Sequence, residues 1–219
     1  KNSGTIYSKG NTDLRASRLE NDKTIAAGKD ITISADGHVT NTGTVGAGIN
    51  EIGKLTETGT LEIQSRRVDN RQGNLLAGNR LGIFSGSLSN VKGQISGYGT
   101  FHTAAEEIDN TDGKISFIGD VSIKAKDMAN DKGRLTTESS LFLRGNTVTN
   151  GKGTIIAGGD ASLYGTSLNN TEGNIITGKD MELVLPWIRN REGTLSAKGS
   201  MKMAAEKELD NETGRLLSD

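Results

Sequence analysis

The 219-residue chain has no cysteine, a single proline and no long apolar run. The absence of cysteine excludes disulfide bonds and thiolate metal sites, and it leaves the redox compartment open. A membrane-spanning helix needs roughly 20 consecutive apolar residues. Because no such run is present, we predict that the chain does not insert into a membrane.

The chain also lacks an excess of either charge. Its 26 Lys and Arg residues nearly balance 27 Asp and Glu residues, for a formal net charge of −1. This balance removes the electrostatic argument for a nucleic-acid partner. Only 32% of the residues are hydrophobic and 30 are glycine, yet disordered chains usually carry many prolines and a large net charge. We therefore expect a repetitive structure that buries few apolar residues efficiently.

A 20-residue repeat organises most of the sequence. A glycine follows each asparagine of the repeat by three residues, and an aliphatic residue follows that glycine by two. An apolar residue also precedes each asparagine by two, and a further apolar pair lies near the middle of the repeat. The repeat continues in both directions with small slips in length. Its regular asparagines are Asn70, Asn90, Asn110, Asn130, Asn150, Asn170 and Asn190.

This pattern predicts strands, because alternate side chains share one face of a strand. Three short strands per repeat, stacked on the next repeat, give an all-β fold: a parallel β-helix, or solenoid, of about ten coils. Crossover connections between parallel strands favour a right-handed coil. We expect residues 1–219 to form one solenoid segment of a longer array, with any export signal outside it.

The repeat resembles the haemagglutinin repeat of filamentous haemagglutinin-type exoproteins. The resemblance rests on residues 168–180 (LNNTEGNIITGKD), 108–115 (IDNTDGKI) and 41–45 (NTGTV). It implies a secreted protein on the exterior of a Gram-negative outer membrane, either a two-partner secretion adhesin or a contact-dependent growth inhibition effector. It further implies an outer-membrane transporter and a protein or glycan receptor as partners. The segment itself would be a stalk that projects a binding or toxic region.

The asparagine column has a structural interpretation. Each asparagine would bond the turn backbone and the asparagine of the next coil, and asparagine tolerates left-handed backbone geometry. The glycine column is expected to supply positive φ and close stacking of coils. We predict that both columns build turns.

Neither a cofactor, a metal site nor a catalytic residue is predicted. Four aspartates share one position of the repeat, but other coils interrupt the column, so turn formation is favoured over calcium binding. They are Asp30, Asp120, Asp160 and Asp180. The two histidines, His38 and His102, lie several coils apart and cannot pair at a metal site. Polysaccharide-active enzymes also use this fold, yet the acidic residues are spread along the turns. We predict that the protein is not an enzyme.

Two departures from the repeat are candidate partner-binding surfaces. Residues 48–58 hold about nine extra residues, and Ile49, Ile52 and Leu55 recur there at a spacing of three. They would form one amphipathic helical turn or a loop folded back on the rod, either a tolerated insertion or a recognition loop.

The second departure surrounds Pro186. Strand alternation predicts that Tyr164, Val184 and Trp187 face outward and form an apolar surface for a protein, a neighbouring filament or a sugar. The alternative is that Pro186 twists the chain and Trp187 covers a corner of the coil.

Overall fold

The computed structural model describes residues 1–219 and contains 23 β-strands and no helix. It therefore has no helix that could span a membrane. Parallel strands of successive repeats form two sheets, so each repeat is one coil of a solenoid. One sheet contains eleven strands, which gives eleven coils where the sequence predicted about ten. The all-β parallel solenoid predicted from the repeat is confirmed.

The first sheet, the short-strand sheet, consists of four-residue strands that follow the asparagine turns. The aliphatic residues of neighbouring strands pair with one another in register, as Ile115 does with Leu135. The strands are β1 (Thr5–Ser8), β3 (Thr24–Ala27), β5 (Thr44–Ala47), β7 (Asn74–Ala77), β9 (Gln94–Gly97), β11 (Lys114–Phe117), β13 (Arg134–Thr137), β15 (Thr154–Ala157), β17 (Asn174–Thr177), β20 (Thr194–Ala197) and β23 (Arg215–Ser218).

The second sheet, the long-strand sheet, completes each coil. Its members are β2 (Thr12–Asn21), β4 (Ile31–Asn41), β6 (Thr60–Asp69), β8 (Arg80–Ser89), β10 (Thr100–Asp109), β12 (Val121–Ala129), β14 (Leu141–Thr149), β16 (Ala161–Asn169), β18 (Met181–Val184), β19 (Trp187–Arg189), β21 (Met201–Ala204) and β22 (Glu208–Asp210). The strands from β2 to β16 are nine to eleven residues long.

The prediction of three strands per coil was wrong for most coils. Two apolar columns share one long strand, which bends between them. In β14, Leu143 and Val148 are both buried although they are five positions apart, an odd spacing that would put them on opposite faces of a straight strand. The strand divides only near the C-terminal end, into β18 and β19 and into β21 and β22. In the first of these coils, Pro186 lies at the bend, where it has no N–H to donate to the neighbouring strand.

The core is a set of stacked columns that runs along the rod. One cluster of 40 buried residues has members in every coil from that of Ile25 to that of Ala197. Phe101 and Phe117 stack across it with ring centroids 5.1 Å apart. Gly97 makes room for this pair, because a Cβ at Gly97 would lie 2.8 Å from Cε1 of Phe117. The large and small members of neighbouring coils therefore compensate one another.

Two buried threonines of the core differ in whether their hydroxyls are bonded. Thr103 and Thr137 are each 4% exposed. The Thr103 hydroxyl has no hydrogen-bond partner, whereas the Thr137 hydroxyl donates to the Gly119 carbonyl at 2.6 Å and accepts from the Ser139 N–H at 3.0 Å. An unsatisfied buried hydroxyl costs free energy that a bonded one does not.

We therefore expect Thr103→Val to stabilise the protein by about 1–2 kcal/mol, since it replaces an unbonded hydroxyl by a methyl group of similar size. The matched control, Thr137→Val, should destabilise by about 1–3 kcal/mol because it leaves two backbone groups unpaired. Denaturant unfolding of both variants checks the pair. Destabilisation by Thr103→Val would show that its hydroxyl is bonded in solution.

A ladder of asparagine side chains runs the length of the rod. In ten successive steps from Asn2 to Asn211, each Nδ2 donates to the Oδ1 of the asparagine in the next coil at 2.7 Å. Asn130, for example, also donates to the carbonyls of Gly133 and Thr154 at 3.4 and 3.3 Å. The seven regular asparagines are all 0% exposed. The ladder thus ties each turn to its own coil and to the next one.

The backbone of these turns corrects one expectation. Neither the asparagine nor the glycine of the regular turns has positive φ. The residue directly before the glycine has that conformation, such as Lys132 with a φ of 56°. The glycine is required for a different reason, because a Cβ at Gly133 would lie 2.2 Å from the Asn110 carbonyl oxygen. Contact with the preceding coil, rather than backbone conformation, selects glycine here.

Candidate functional site

The insertion predicted at residues 48–58 leaves the rod at a corner of the coil. Ala47 pairs with Ala77 and Thr60 with Arg80, so twelve residues lie where the next coil has two, which makes ten extra residues. The predicted excess was about nine because the turn at Asn41 is one residue shorter than the regular turns.

The insertion forms a small hairpin, so the helical-turn alternative was wrong. Ile49 and Leu55 form an antiparallel bridge. The Asn50 side chain accepts the N–H groups of Ile52 and Lys54 at 3.2 and 2.9 Å, and Gly53 takes a φ of 78°. These local bonds close a tight turn that a helix would not allow.

The hairpin separates its three apolar residues. Ile49 is buried against the rod, where a Cβ at Gly46 would lie 2.7 Å from its Cγ1. Leu55 is half-buried and lines a groove with Tyr98. Ile52, at the tip, is 85% exposed. Only Ile52 is therefore fully available to a partner.

Tyr164 and Val184 line an open groove on the long-strand sheet, with a volume of about 850 Å³. The Tyr164 ring packs against Phe142 at a centroid distance of 5.7 Å. Its hydroxyl donates to Glu182, and this bond raises the pKa of Tyr164 and lowers the pKa of Glu182. The Glu182 Oε1 is also 3.5 Å from the Lys202 Nζ, so an ammonium group balances the negative charge of the carboxylate.

Trp187 is 46% exposed and lies in another, smaller groove of about 230 Å³. No residue lines both this groove and that of Tyr164. The chain turns inward at Leu185, which is 0% exposed, before it reaches Trp187. The structure therefore places Tyr164 and Val184 along one groove and Trp187 along another.

The Trp187 groove has a charged wall. Asp210 accepts from Arg191 at 2.5 Å and lies 3.5 Å from Arg189. The hydrogen bond from Arg191 is the main reason why the pKa of Asp210 is lowered. Glu208, which pairs in register with Trp187, forms no ion pair and is the unpaired charge of this groove.

Sequence reasoning missed the two cations and one of the rings of the larger groove, which are Lys124, Arg144 and Phe142. Lys124 and Arg144 pair in register and belong to the outward column that continues to Tyr164 and Val184. Their 20-residue spacing was the signal that could have found them. Phe142 comes from the neighbouring outward column, and its contact with Tyr164 depends on side-chain conformation.

The aspartates at the coil corners bond the backbone of the next coil. Asp180 accepts the N–H of Ser200 at 2.8 Å, and Asp120 accepts that of Ser140 at 3.1 Å. The bond from the Ser139 hydroxyl is the largest cause of the lowered pKa of Asp120. No group of three or more His, Asp or Glu side chains is placed to hold a metal ion.

Comparison with protein families matches the haemagglutinin repeat over residues 1–43, 44–127, 94–165 and 119–211. Comparisons with curated proteins and with solved structures gave no match. The overlapping matches follow the same coils that the asparagine ladder connects. Since they extend over nearly the whole chain, the protein belongs to the haemagglutinin-repeat family.

Proposed function

We propose that this protein is a stalk segment of a secreted, cell-surface filament, and that it holds a binding or toxic region away from a Gram-negative outer membrane. The parent would be an adhesin or a contact-dependent growth inhibition effector exported by a two-partner secretion transporter. The observation that carries the proposal is the unbroken asparagine ladder, which joins all eleven coils in one line.

The mechanism is mechanical. Along the rod axis, neighbouring coils are joined by the backbone hydrogen bonds of two sheets and by one hydrogen bond between the asparagine side chains of the ladder. A pull along the axis loads these bonds together, because they all run between successive coils. This role needs no chemical step. A non-enzymatic function is also supported by Glu182, whose carboxylate is bonded to Tyr164 and Lys202, and by the two histidines, which lie several coils apart.

Stretching single molecules tests the stalk role. Because the chain has no native cysteine, Ser17→Cys and Lys207→Cys provide two specific attachment points near the ends. We expect high resistance followed by abrupt lengthening, with about 60–70 Å released per 20-residue coil. Gradual extension at low force would contradict the proposal. A variant with Asn130→Asp should yield at lower force and serves as the internal comparison.

A second candidate function is recognition of a cell-surface receptor by the segment itself. The exposed Ile52 and Trp187 favour it, since large exposed apolar side chains are typical of contact surfaces. Saturable binding to cells that is lost in Trp187→Ala, or after deletion of residues 49–58, would support recognition. This deletion leaves Gly48 and Gly59 as the two-residue corner found in the next coil. Equal binding by all forms would exclude both surfaces.

A further inference from the structure

The larger groove contains two cations without counterions. Lys124 and Arg144 are exposed cross-strand neighbours on β12 and β14. Neither forms an ion pair or a side-chain hydrogen bond, and no residue that lines the groove is acidic. Like charges that face each other across a sheet are destabilising. An anionic ligand would remove this repulsion.

The wall beside these cations is aromatic and polar. Phe142 and Tyr164 present tilted rings that are half-buried, and Asn146 and Thr166 add hydrogen-bonding groups. Rings with an apolar face and a polar edge suit ligands that have both C–H and hydroxyl groups. Pyranose sugars have such faces.

The floor of the groove favours a glycan over a peptide. It is formed by small residues, among them Ala125, Gly145 and Gly165, and its strands are paired on both sides within the sheet. A bound peptide would therefore find few free backbone groups with which to form a ladder. A carboxylated sugar needs only the side-chain donors that are present.

The groove also has the length of an extended polymer. Its lining residues come from five neighbouring strands, β10, β12, β14, β16 and β18. Four steps between strands span about 19 Å along the rod axis. A linear chain that lies along the axis would contact Lys124, Arg144 and the aromatic pair in turn.

We propose that this groove binds a linear, carboxylate-bearing polysaccharide, that is, a polyuronate segment. Lys124 and Arg144 bind its carboxylates and the Phe142–Tyr164 pair packs against a sugar ring. The inference deepens the proposed surface role, because it gives a stalk segment a glycan ligand of its own. The stretching experiment tests the stalk separately, so the two proposals can fail independently.

Fluorescence anisotropy with a labelled hexagalacturonate tests the site on the intact chain near physiological ionic strength. We expect saturable binding that the double variant Lys124→Gln/Arg144→Gln weakens at least about tenfold, as expected for the loss of charge-assisted hydrogen bonds. Tyr164→Ala should weaken it severalfold. An uncharged maltohexaose should not compete, because it lacks the carboxylates.

The matched control is Lys114→Gln/Arg134→Gln. These residues are also an exposed cross-strand Lys–Arg pair without an ion-pair partner, but they lie on the short-strand sheet. Their loss should change affinity less than about twofold. Equal weakening by both double variants would show diffuse attraction of a polyanion and overturn the proposal. Absence of binding, or equally tight binding of hexaglutamate at this groove, would overturn it as well.

Discussion

Asn130→Asp will destabilise the protein by about 3–5 kcal/mol, although the two side chains have nearly the same shape. The Asn130 side chain is 0% exposed, and its Nδ2 donates to Asn150, Gly133 and Thr154. A carboxylate would place an acceptor against three carbonyl oxygens and bury a charge without a partner. Denaturant unfolding measures the loss.

The pH dependence identifies the buried charge as the cause. Burial raises the folded-state pKa of a carboxyl group above its unfolded value of about 3.9. The penalty is therefore absent below the unfolded pKa and grows as pH rises toward the folded pKa. We expect the difference between Asn130→Asp and the wild type to shrink near pH 4 and to be largest at neutral pH.

Asn146→Asp is the matched control. Asn146 is exposed and its side chain forms no hydrogen bond within the protein. The same substitution should change stability there by no more than about 0.5 kcal/mol. A similar loss at both positions would contradict a special role for the buried ladder.

Gly133→Ala will cost about 3 kcal/mol, at the upper end of the range for overpacked sites. The added Cβ would meet the Asn110 carbonyl oxygen at 2.2 Å and the Asn130 Oδ1 at 2.8 Å. The Asn110 carbonyl accepts the Gly113 N–H of its own turn at 3.0 Å, and the Asn130 Oδ1 accepts from the Asn110 Nδ2 of the neighbouring coil at 2.7 Å. Neither oxygen can therefore retreat without losing a hydrogen bond. The loss in thermal unfolding midpoint should exceed that of Gly10→Ala, since a Cβ at Gly10 has only the Ser8 hydroxyl oxygen nearby, at 4.0 Å.

Lys132→Gly separates crowding from backbone conformation. Lys132 holds a φ of 56°, a left-handed conformation that costs about 1 kcal/mol for a residue with a Cβ. Glycine removes this cost but orders a more flexible residue, at about 0.5–1 kcal/mol. We therefore expect no net destabilisation. A loss of stability in Lys132→Gly as large as that in Gly133→Ala would contradict the account in which crowding selects glycine at 133 and backbone conformation alone matters at 132.

Much of the fold could be predicted because each coil repeats the same physical constraints. The 20-residue spacing of Asn70 to Asn190 and the alternation of apolar residues were sufficient to predict stacked parallel strands. The spacing did not reveal that two columns share one bent strand, as in β14, since a bend and a loop leave similar patterns. It also did not reveal that Lys132, rather than glycine, takes positive φ.

The candidate surfaces were harder to predict than the rod. Alternation showed that Val184 faces outward, because it depends only on the backbone. It did not show that Leu185 turns inward and places Trp187 along a second groove. The unpaired charges of Lys124 and Arg144 depend on which side chains meet across coils. Such contacts follow from the folded arrangement and not from a local pattern.

The distance between two spin labels tests the central claim most directly, that the whole chain is one stacked rod. Labels at Ser17→Cys and Lys207→Cys lie on coils separated by nine steps of the long-strand sheet. We expect a single narrow distribution near 40–45 Å, from a spacing of about 4.8 Å per step. A broad distribution, or a markedly shorter distance, would contradict a continuous solenoid.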